Sequence, residues 1–516
     1  MKLNYKRTIL VGFAFFLICA FWQAYDATIP VILTNKFGMS QTASGFIMAL
    51  DNILAVFMLP IFGALSDKCR SKKGKRTPFI TIGTTIAAVL LVALSFVDNA
   101  QLNNLTDISA IDDPAALSVI YDQQADATLQ TPEGEDFVLS EVFSKEEFMT
   151  IVSEISLTSG KTTPNPDYTD YVVPARQACA AAATKAQPVQ LYLFVVLLLA
   201  LLIAMAIFRS PAVALMPDVT IKPLRSKANA IINLTGTAGG ILVLVLGKIL
   251  ATSAVKNAMM NYFVYYGIVA LLMLFSLVIF LFTVREPEWS AQMQADSAAL
   301  SIEEETEEAG EKRRLTGAEK RSMLLILASI ALWYIGYNAV TSKYSLYASS
   351  VLGMDYNTTL LIAQGAAIVA YLPAGMVASK IGRRKTILAG VVMLSAAFAI
   401  AAFMRAGSSA LLMNVLFSLA GIGWATINVN SFPMVVEMCS GADIGKYTGY
   451  YYTASMAAQI VTPVFSGYLM DHMGMVVLFP YAAVFAGLAF VTMFFVKHGD
   501  VKVAAKKGLE ALDIED

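Results

Sequence analysis

The chain has 516 residues, long enough for two or three soluble domains, but 57% are hydrophobic and only 15% charged. With a mean hydropathy of +0.63, that composition excludes a water-soluble globular protein and leaves lipid as the solvent for most of the molecule. The formal net charge of −1 hides an asymmetry, because residues 98–187 hold 15 acidic and 4 basic side chains while the remainder holds 23 and 33.

A membrane-crossing helix needs roughly 20 mostly apolar residues. Behind Met1 to Arg7 no small-residue cleavage pattern follows, so the first span, from Thr8 to about Leu33, is expected to stay uncleaved. It carries Asp26, and the second span, from about Met39 to Ser66, carries Asp51. Uncharged stretches recur at Thr77–Val97, Ala186–Phe208, Ala228–Gly247 and Asn257–Val284. They resume at Ser322–Ser342, Tyr356–Ser379, Thr386–Met404, Ala406–Val436, Tyr447–Met470 and His472–Val496. The expected fold is an all-α membrane protein of twelve transmembrane helices in two six-helix bundles, residues 1–285 and 321–497. A polar linker, 286–320, joins them, and a tail, 498–516, follows. The cysteines, Cys19, Cys69, Cys179 and Cys439, show no paired spacing, so neither a disulfide framework nor a zinc site is readable.

Short loops rich in Lys and Arg stay in the cytoplasm. Lys68, Arg70, Lys72, Lys73, Lys75 and Arg76 follow span 2, Lys222, Arg225 and Lys227 follow span 4, and Lys380, Arg383, Arg384 and Lys385 follow span 8. Both termini are therefore expected inside a cell membrane, and the acidic insert 98–187 between spans 3 and 4 outside, as a small folded cap. In the linker, Glu303 to Glu308 and then Lys312, Arg313 and Arg314 read as a solvated cytoplasmic segment.

The connection after span 2 runs from Gly63 through Asp67 and Lys68 to Gly74, Lys75 and Arg76, and the one after span 8 from Gly375 through Ser379 and Lys380 to Gly382, Arg383 and Arg384. A repeat at matching places in two halves marks a duplicated transporter, whose substrate site lies near the midplane between the repeats. Glycine permits close helix packing there, and the charges can pair across a cytoplasmic gate. This loop resembles the signature of the major facilitator superfamily, with Ser379 standing where an Asp is usual. The stretches Gly63–Ile80, Arg209–Asp218, Arg225–Asn229 and Gly423–Pro433 further resemble the sucrose/proton symporters, chiefly their bacterial branch, and the first also the glycoside-pentoside-hexuronide cation symporters. The resemblance implies proton-coupled sugar uptake. Melibiose-type sodium symporters carry two Asp on helix 2 where this chain has Ala55 and Leu59, so protons are the expected coupling ion.

Ionisable groups inside a bilayer cost at least about 2.5 kcal/mol each on insertion scales and are functional by default. Asp26 and Asp51 are the candidate proton-coupling residues, because a carboxyl group withdrawn from water favours its neutral form. A pyranose needs hydroxyl-matching amides beside flat apolar rings. The candidate substrate-binding residues are Trp22, Gln23 and Asp26 on span 1, Arg209 on span 4, Tyr334, Asn338 and Thr341 on span 7, and Gln364 on span 8. Trp424 and Asn428 on span 10 and Tyr451 and Gln459 on span 11 complete the set. For Arg209, sugar contact and snorkelling to the interface stand equal, while Lys343 is expected to snorkel. Gly63, Asp67, Arg76, Asp218, Gly375 and Arg383 are the candidate gate residues. The expected partners are a small sugar, protons and the bilayer, with no nucleic acid, no metal and no cofactor beyond the proton gradient, in a monomer. Export of drugs or metabolites and a transporter-like nutrient sensor are the alternative functions; the absence of a Gly-x-x-x-x-Gly-Lys-Ser/Thr loop argues against an ATP-driven pump, and no enzymatic activity is expected.

Overall fold

The structure is a computed structural model that describes residues 3–156, 162–221, 224–299, 315–436, 438 and 444–499. The linker charges from 303 to 314, Lys222, Cys439 and the tail beyond 499 lie outside the described residues, as do the side chains of Arg225, Lys227 and Ser379.

Among the described residues, twelve long helices dominate. They are α1 (Tyr5–Asn35), α2 (Gln41–Asp67), α3 (Thr77–Asn103), α4 (Val189–Val219), α5 (Arg225–Ile249), α6 (Phe263–Thr283), α7 (Gly317–Tyr347), α8 (Tyr356–Ile381), α9 (Arg383–Ala401), α10 (Ala410–Val436), α11 (Ile444–Met473) and α12 (Leu478–Phe494). Ten of them, all except α8 and α11, are long and apolar enough to cross a membrane. Their ends are set by capping chemistry rather than by where apolarity stops. Ser40 Oγ accepts from Ala43 N at the start of α2, Thr316 and Glu319 form a reciprocal capping box that starts α7 five residues before the expected Ser322, and Gly382, at φ +93°, separates α8 from α9.

The packing repeats with the sequence. In the N-terminal half α1 packs on α5 and α6, α3 on α4 and α6, and α2 on α4. In the C-terminal half α7 packs on α11 and α12, α9 on α10 and α12, and α8 on α10. Adding six to each helix number converts one set into the other. The halves meet through α2 with α11, α5 with α8, and α1 with α7, contacts that the same operation also exchanges. Each half has its own apolar core.

Between α3 and α4 the chain forms short helices, including Pro114–Gln124 and Val173–Ala186, and two hairpins, β1 (Thr128–Gln130) with β2 (Asp136–Val138) and β3 (Glu154–Ser156) with β4 (Thr162–Pro164). Leu117, Ile120, Phe137, Phe148 and Tyr168 gather into a third apolar core, which also takes in Val255 and Met259 from the α5–α6 connection. The expected boundary at 98 differs from the observed one, because α3 continues to Asn103. Asp98 thus belongs to the helix, where it meets Lys36 Nζ at 2.7 Å with both side chains fully buried. Lys36 also donates to the Met260 carbonyl at 2.8 Å, so the buried charges are paired and their hydrogen bonds filled.

At this insert end the two halves are fastened together. Asp471 of α11 accepts from the backbone N–H groups of Gln41 and Thr42 at 2.6 and 2.7 Å, which caps α2 from the other half. Lys343 of α7 is fully buried and donates to the Gln41 carbonyl at 2.8 Å. The expected snorkelling is therefore wrong, since the start of α2 brings the Gln41 carbonyl, whose second lone pair is free to accept, within reach of the cation. Ser253 and Thr252 bond Asp355 and Tyr356 at 2.6 and 2.8 Å. Gly45 and Gly467 sit where α2 and α11 touch, and a Cβ on either would collide with the Pro463 or Gln41 carbonyl.

Candidate functional site

Two adjoining cavities, with three wall residues in common, lie between the halves. The first, about 200 Å³, is walled by Trp22, Tyr25 and Asp26 of α1, Asp51 and Asn52 of α2, Arg209 of α4, Asn338 and Thr341 of α7, and Gln459 of α11. The second, about 360 Å³, shares Trp22, Asp26 and Thr341. It adds Gln23 of α1, Thr237 of α5, Tyr337 of α7, Gln364 and Tyr371 of α8, and Trp424 of α10. Every helix that joins the halves contributes, so the walls of one chamber belong to two bodies.

The chamber has a polar side and an aromatic side. On the polar side Asn52 Nδ2 donates to Asp51 at 2.7 Å, and the guanidinium of Arg209 stands 5.4 Å from the Trp22 ring, a cation–π distance. Arg209 therefore lies inside the molecule, and the snorkelling alternative falls away. On the aromatic side Tyr337 and Trp424 stack with centroids 3.6 Å apart and planes 1° from parallel. Gln364 Nε2 donates to Gln23 Oε1 at 2.5 Å across the halves. Trp22 Nε1, Tyr25 OH, Asn338 Nδ2 and Gln364 Oε1 are buried without a protein hydrogen-bond partner. Leaving such groups unpaired costs about 1–3 kcal/mol each, so a ligand that supplies the matching donors and acceptors is favoured here.

Ten of the candidate residues, Trp22, Gln23, Asp26, Asp51, Arg209, Asn338, Thr341, Gln364, Trp424 and Gln459, line this chamber. Tyr334, Asn428 and Tyr451 do not. Tyr334 sits edge-on to Trp424 at 5.2 Å, and the Tyr451 hydroxyl bonds Ser431 at 3.2 Å. They form a layer behind the aromatic wall, because a spacing of four keeps Asn428 on the face of Trp424 but one turn further from the insert. Sequence reasoning missed Tyr25, Asn52, Tyr337 and Tyr371. Tyr337 was legible, lying three residues from Tyr334 and four from Thr341 on the same helical stripe.

At the opposite end, Arg76 bonds Asp67 and Ser66, and its Nε donates to Asp218 at 2.7 Å. Lys75 stands 3.6 Å from Asp218, and a Cβ at Gly63 would meet Ser210 Oγ at 2.9 Å. These pairs tie α2 to α4 within the N-terminal half and do not cross to the other half as the gate reading expected. Gly375 lies on α8, and Arg383, buried, opens α9. Sequence reasoning also missed Glu286, at the head of the helix Glu286–Ala299 that follows α6. Its carboxylate accepts from the N–H groups of Lys75, Arg76 and Thr77 at 2.7, 2.8 and 2.8 Å, and so holds the signature loop and caps α3.

A duplicated helical bundle with a two-walled polar chamber at the seam is the architecture of a membrane transporter. The family profile described as Major Facilitator Superfamily matches residues 9–109, 177–370 and 357–512, and the chain belongs to that superfamily. The profile passes over 110–176, most of the insert. The chain resembles the MFS-type transporter ppzB of Metarhizium majus (strain ARSEF 297), 32% identical over 120 residues, 23% of this chain and 26% of that one. It also resembles the sucrose transport protein SUC3 of Arabidopsis thaliana, 36% identical over 59 residues, 11% of this chain and 10% of that one. The chain thus matches about a quarter or less of the length of these curated relatives. Among solved structures, the inward-open xylose transporter XylE of E. coli superposes with a TM-score of 0.56 at 17% identity, covering 99% of both chains. A peptide transporter POT bound to sulfate gives 0.56 at 10% identity, covering 95% of this chain and 93% of that one. These likenesses show the fold.

Proposed function

We propose that the chain is a secondary active transporter that takes up a sugar, a disaccharide or a hexose, together with protons by alternating access. All twelve long helices cross the membrane, both termini face the cytoplasm and the insert lies outside, with the protein working as a monomer. The observation that carries this reading is the chamber itself. A flat Tyr337–Trp424 wall offers its face to C–H groups, unpaired donors and acceptors on Trp22, Asn338 and Gln364 await hydroxyls, and Asp26 and Asp51 stand beside them for the proton. Two relatives named above, a xylose transporter and a sucrose transport protein, agree with it. The peptide transporter on the same fold shows why the chamber, not the fold, has to argue the substrate.

In this cycle the bonds of Asp471 and Lys343 to α2 close the outer side, and release of that seam opens it. Asp67, Arg76 and Asp218 brace the inner loop, with Gly63, Gly375 and Arg383 shaping the inner gate. The test is uptake into proteoliposomes of labelled disaccharides and hexoses, with and without a pH gradient. Sugar accumulation that collapses with the gradient is the expected result. Transport of a lipophilic cation and of no sugar would mean an exporter, and tight sugar binding without flux a sensor.

A further inference from the structure

A third cavity, about 270 Å³, lies apart from the central chamber at the insert end. Its walls come from three bodies: Gln130 and Thr131 from the β1–β2 hairpin and Gln177 from the helix Val173–Ala186, Gln41 from α2, and Ser350 and Asp471 from the C-terminal half. We propose that this cavity is a second binding site, for a neutral polyhydroxylated molecule about the size of one pyranose ring, and that its ligand selects the conformation in which the insert end is closed.

The chemistry of the ligand follows from the lining. No Lys or Arg is among the described residues that line the cavity, so an anion finds no counter-charge. The one carboxylate, Asp471, already accepts from Gln41 N, Thr42 N and Thr42 Oγ1, so a cation is not called for. What remains is three side-chain amides and three hydroxyls, those of Ser40, Thr131 and Ser350, between methionine and proline surfaces, a set that matches hydroxyl groups on a compact ring.

State selection follows from who supplies the walls. The insert is rooted in the N-terminal half, where Gln101 Nε2 donates to the Lys36 carbonyl at 2.8 Å and to Thr184 at 3.0 Å, and Gln177 to Asn35 at 2.8 Å. Its β1–β2 turn reaches the other half: Val476 N donates to the Pro132 carbonyl at 3.3 Å and Arg405 Nε to Glu133 at 2.8 Å. Gly134 and Gly474 meet there backbone to backbone. When α2 leaves α11, Gln41 and Thr131 leave Asp471 and Ser350, and the site ceases to exist. A ligand that binds one state only, at ten times its Kd, raises the ratio of that state to the others about elevenfold. It therefore brakes the cycle, whatever the central chamber carries. That the site faces outward rests on the orientation proposed above.

The test is binding stoichiometry on the purified full-length chain, without any gradient, with D-glucose, D-xylose, sucrose and glycerol as probes. For at least one monosaccharide, two sites per chain are expected. Thr131→Trp, which fills the cavity from a hairpin tip, and Gln177→Leu should each remove one of them, and should relieve inhibition of uptake at high external sugar. The proposal is overturned when no probe shows a site that both substitutions remove, whether one site per chain is counted or two. A chain that binds a monosaccharide at the cavity yet moves no sugar supports this inference and refutes only the transport reading.

Discussion

Asp51 has the Asn52 amide as hydrogen-bond donor and shares its cavity with Arg209 and Asp26, so a proton arriving or leaving there changes the field felt by every polar wall of the chamber. Asp51→Asn keeps the shape and removes the ionisation. It is expected to lose gradient-driven accumulation while retaining exchange of labelled for unlabelled sugar, both read in proteoliposomes; wild-type accumulation would remove Asp51 from the coupling. Tyr337→Ala strips Trp424 of its stacking partner, an interaction of about 0.5–1.5 kcal/mol, and should raise the half-saturation concentration roughly two- to tenfold. Tyr337→Phe, which keeps the ring, should stay near wild type. Most of these residues were readable beforehand because a charge or amide in an apolar run needs a polar neighbour. Asn428 and Tyr451 were not separable from the true lining, since helical spacing fixes a face but not the depth at which the wall ends. Lys343 was misread for a related reason: its partner is a backbone carbonyl on a helix about 300 residues earlier, and no local window shows it.

Among helices, the seam between α2 and α11 is the element on which the cycle turns. Without side chains at Gly45 and Gly467 the two backbones touch, which gives van der Waals contact in a medium that offers no hydrophobic drive between helices. Gly467→Leu should hold the outer ends apart. A cysteine introduced at Ser350, itself only 5% exposed, in a background with the native cysteines replaced, should then react several-fold faster with a membrane-impermeant maleimide; an unchanged rate would show that the seam does not gate. Asp471→Asn removes charge-assisted bonds worth about 1.5–3 kcal/mol and should accelerate the same labelling roughly ten- to hundredfold. Existence and order of the helices were legible from long stretches with one charge or none. Their ends were not, because α3 runs past Asp98 once Lys36 neutralises it, and α7 starts at a polar capping box that hydropathy passes over.

For the molecule as a whole, one repeated loop was enough to anticipate the duplication, and the packing obeys it helix for helix. The insert was readable as an acidic, folded segment, but its grip on both halves was not, since Pro132, Glu133 and Pro164 meet Val476, Arg405 and Gly353, partners that share no pattern with them. The Glu286 clasp carries a consequence for biogenesis. All of its hydrogen-bond partners precede residue 80 and its carboxylate precedes residue 290, so the ribosome has delivered every part of it before α7 is translated. The first half is therefore expected to mature alone. A gene split within codons 300–314 and expressed as two polypeptides should yield fragments that co-purify and restore uptake, whereas Glu286→Gln should leave the first fragment to be degraded.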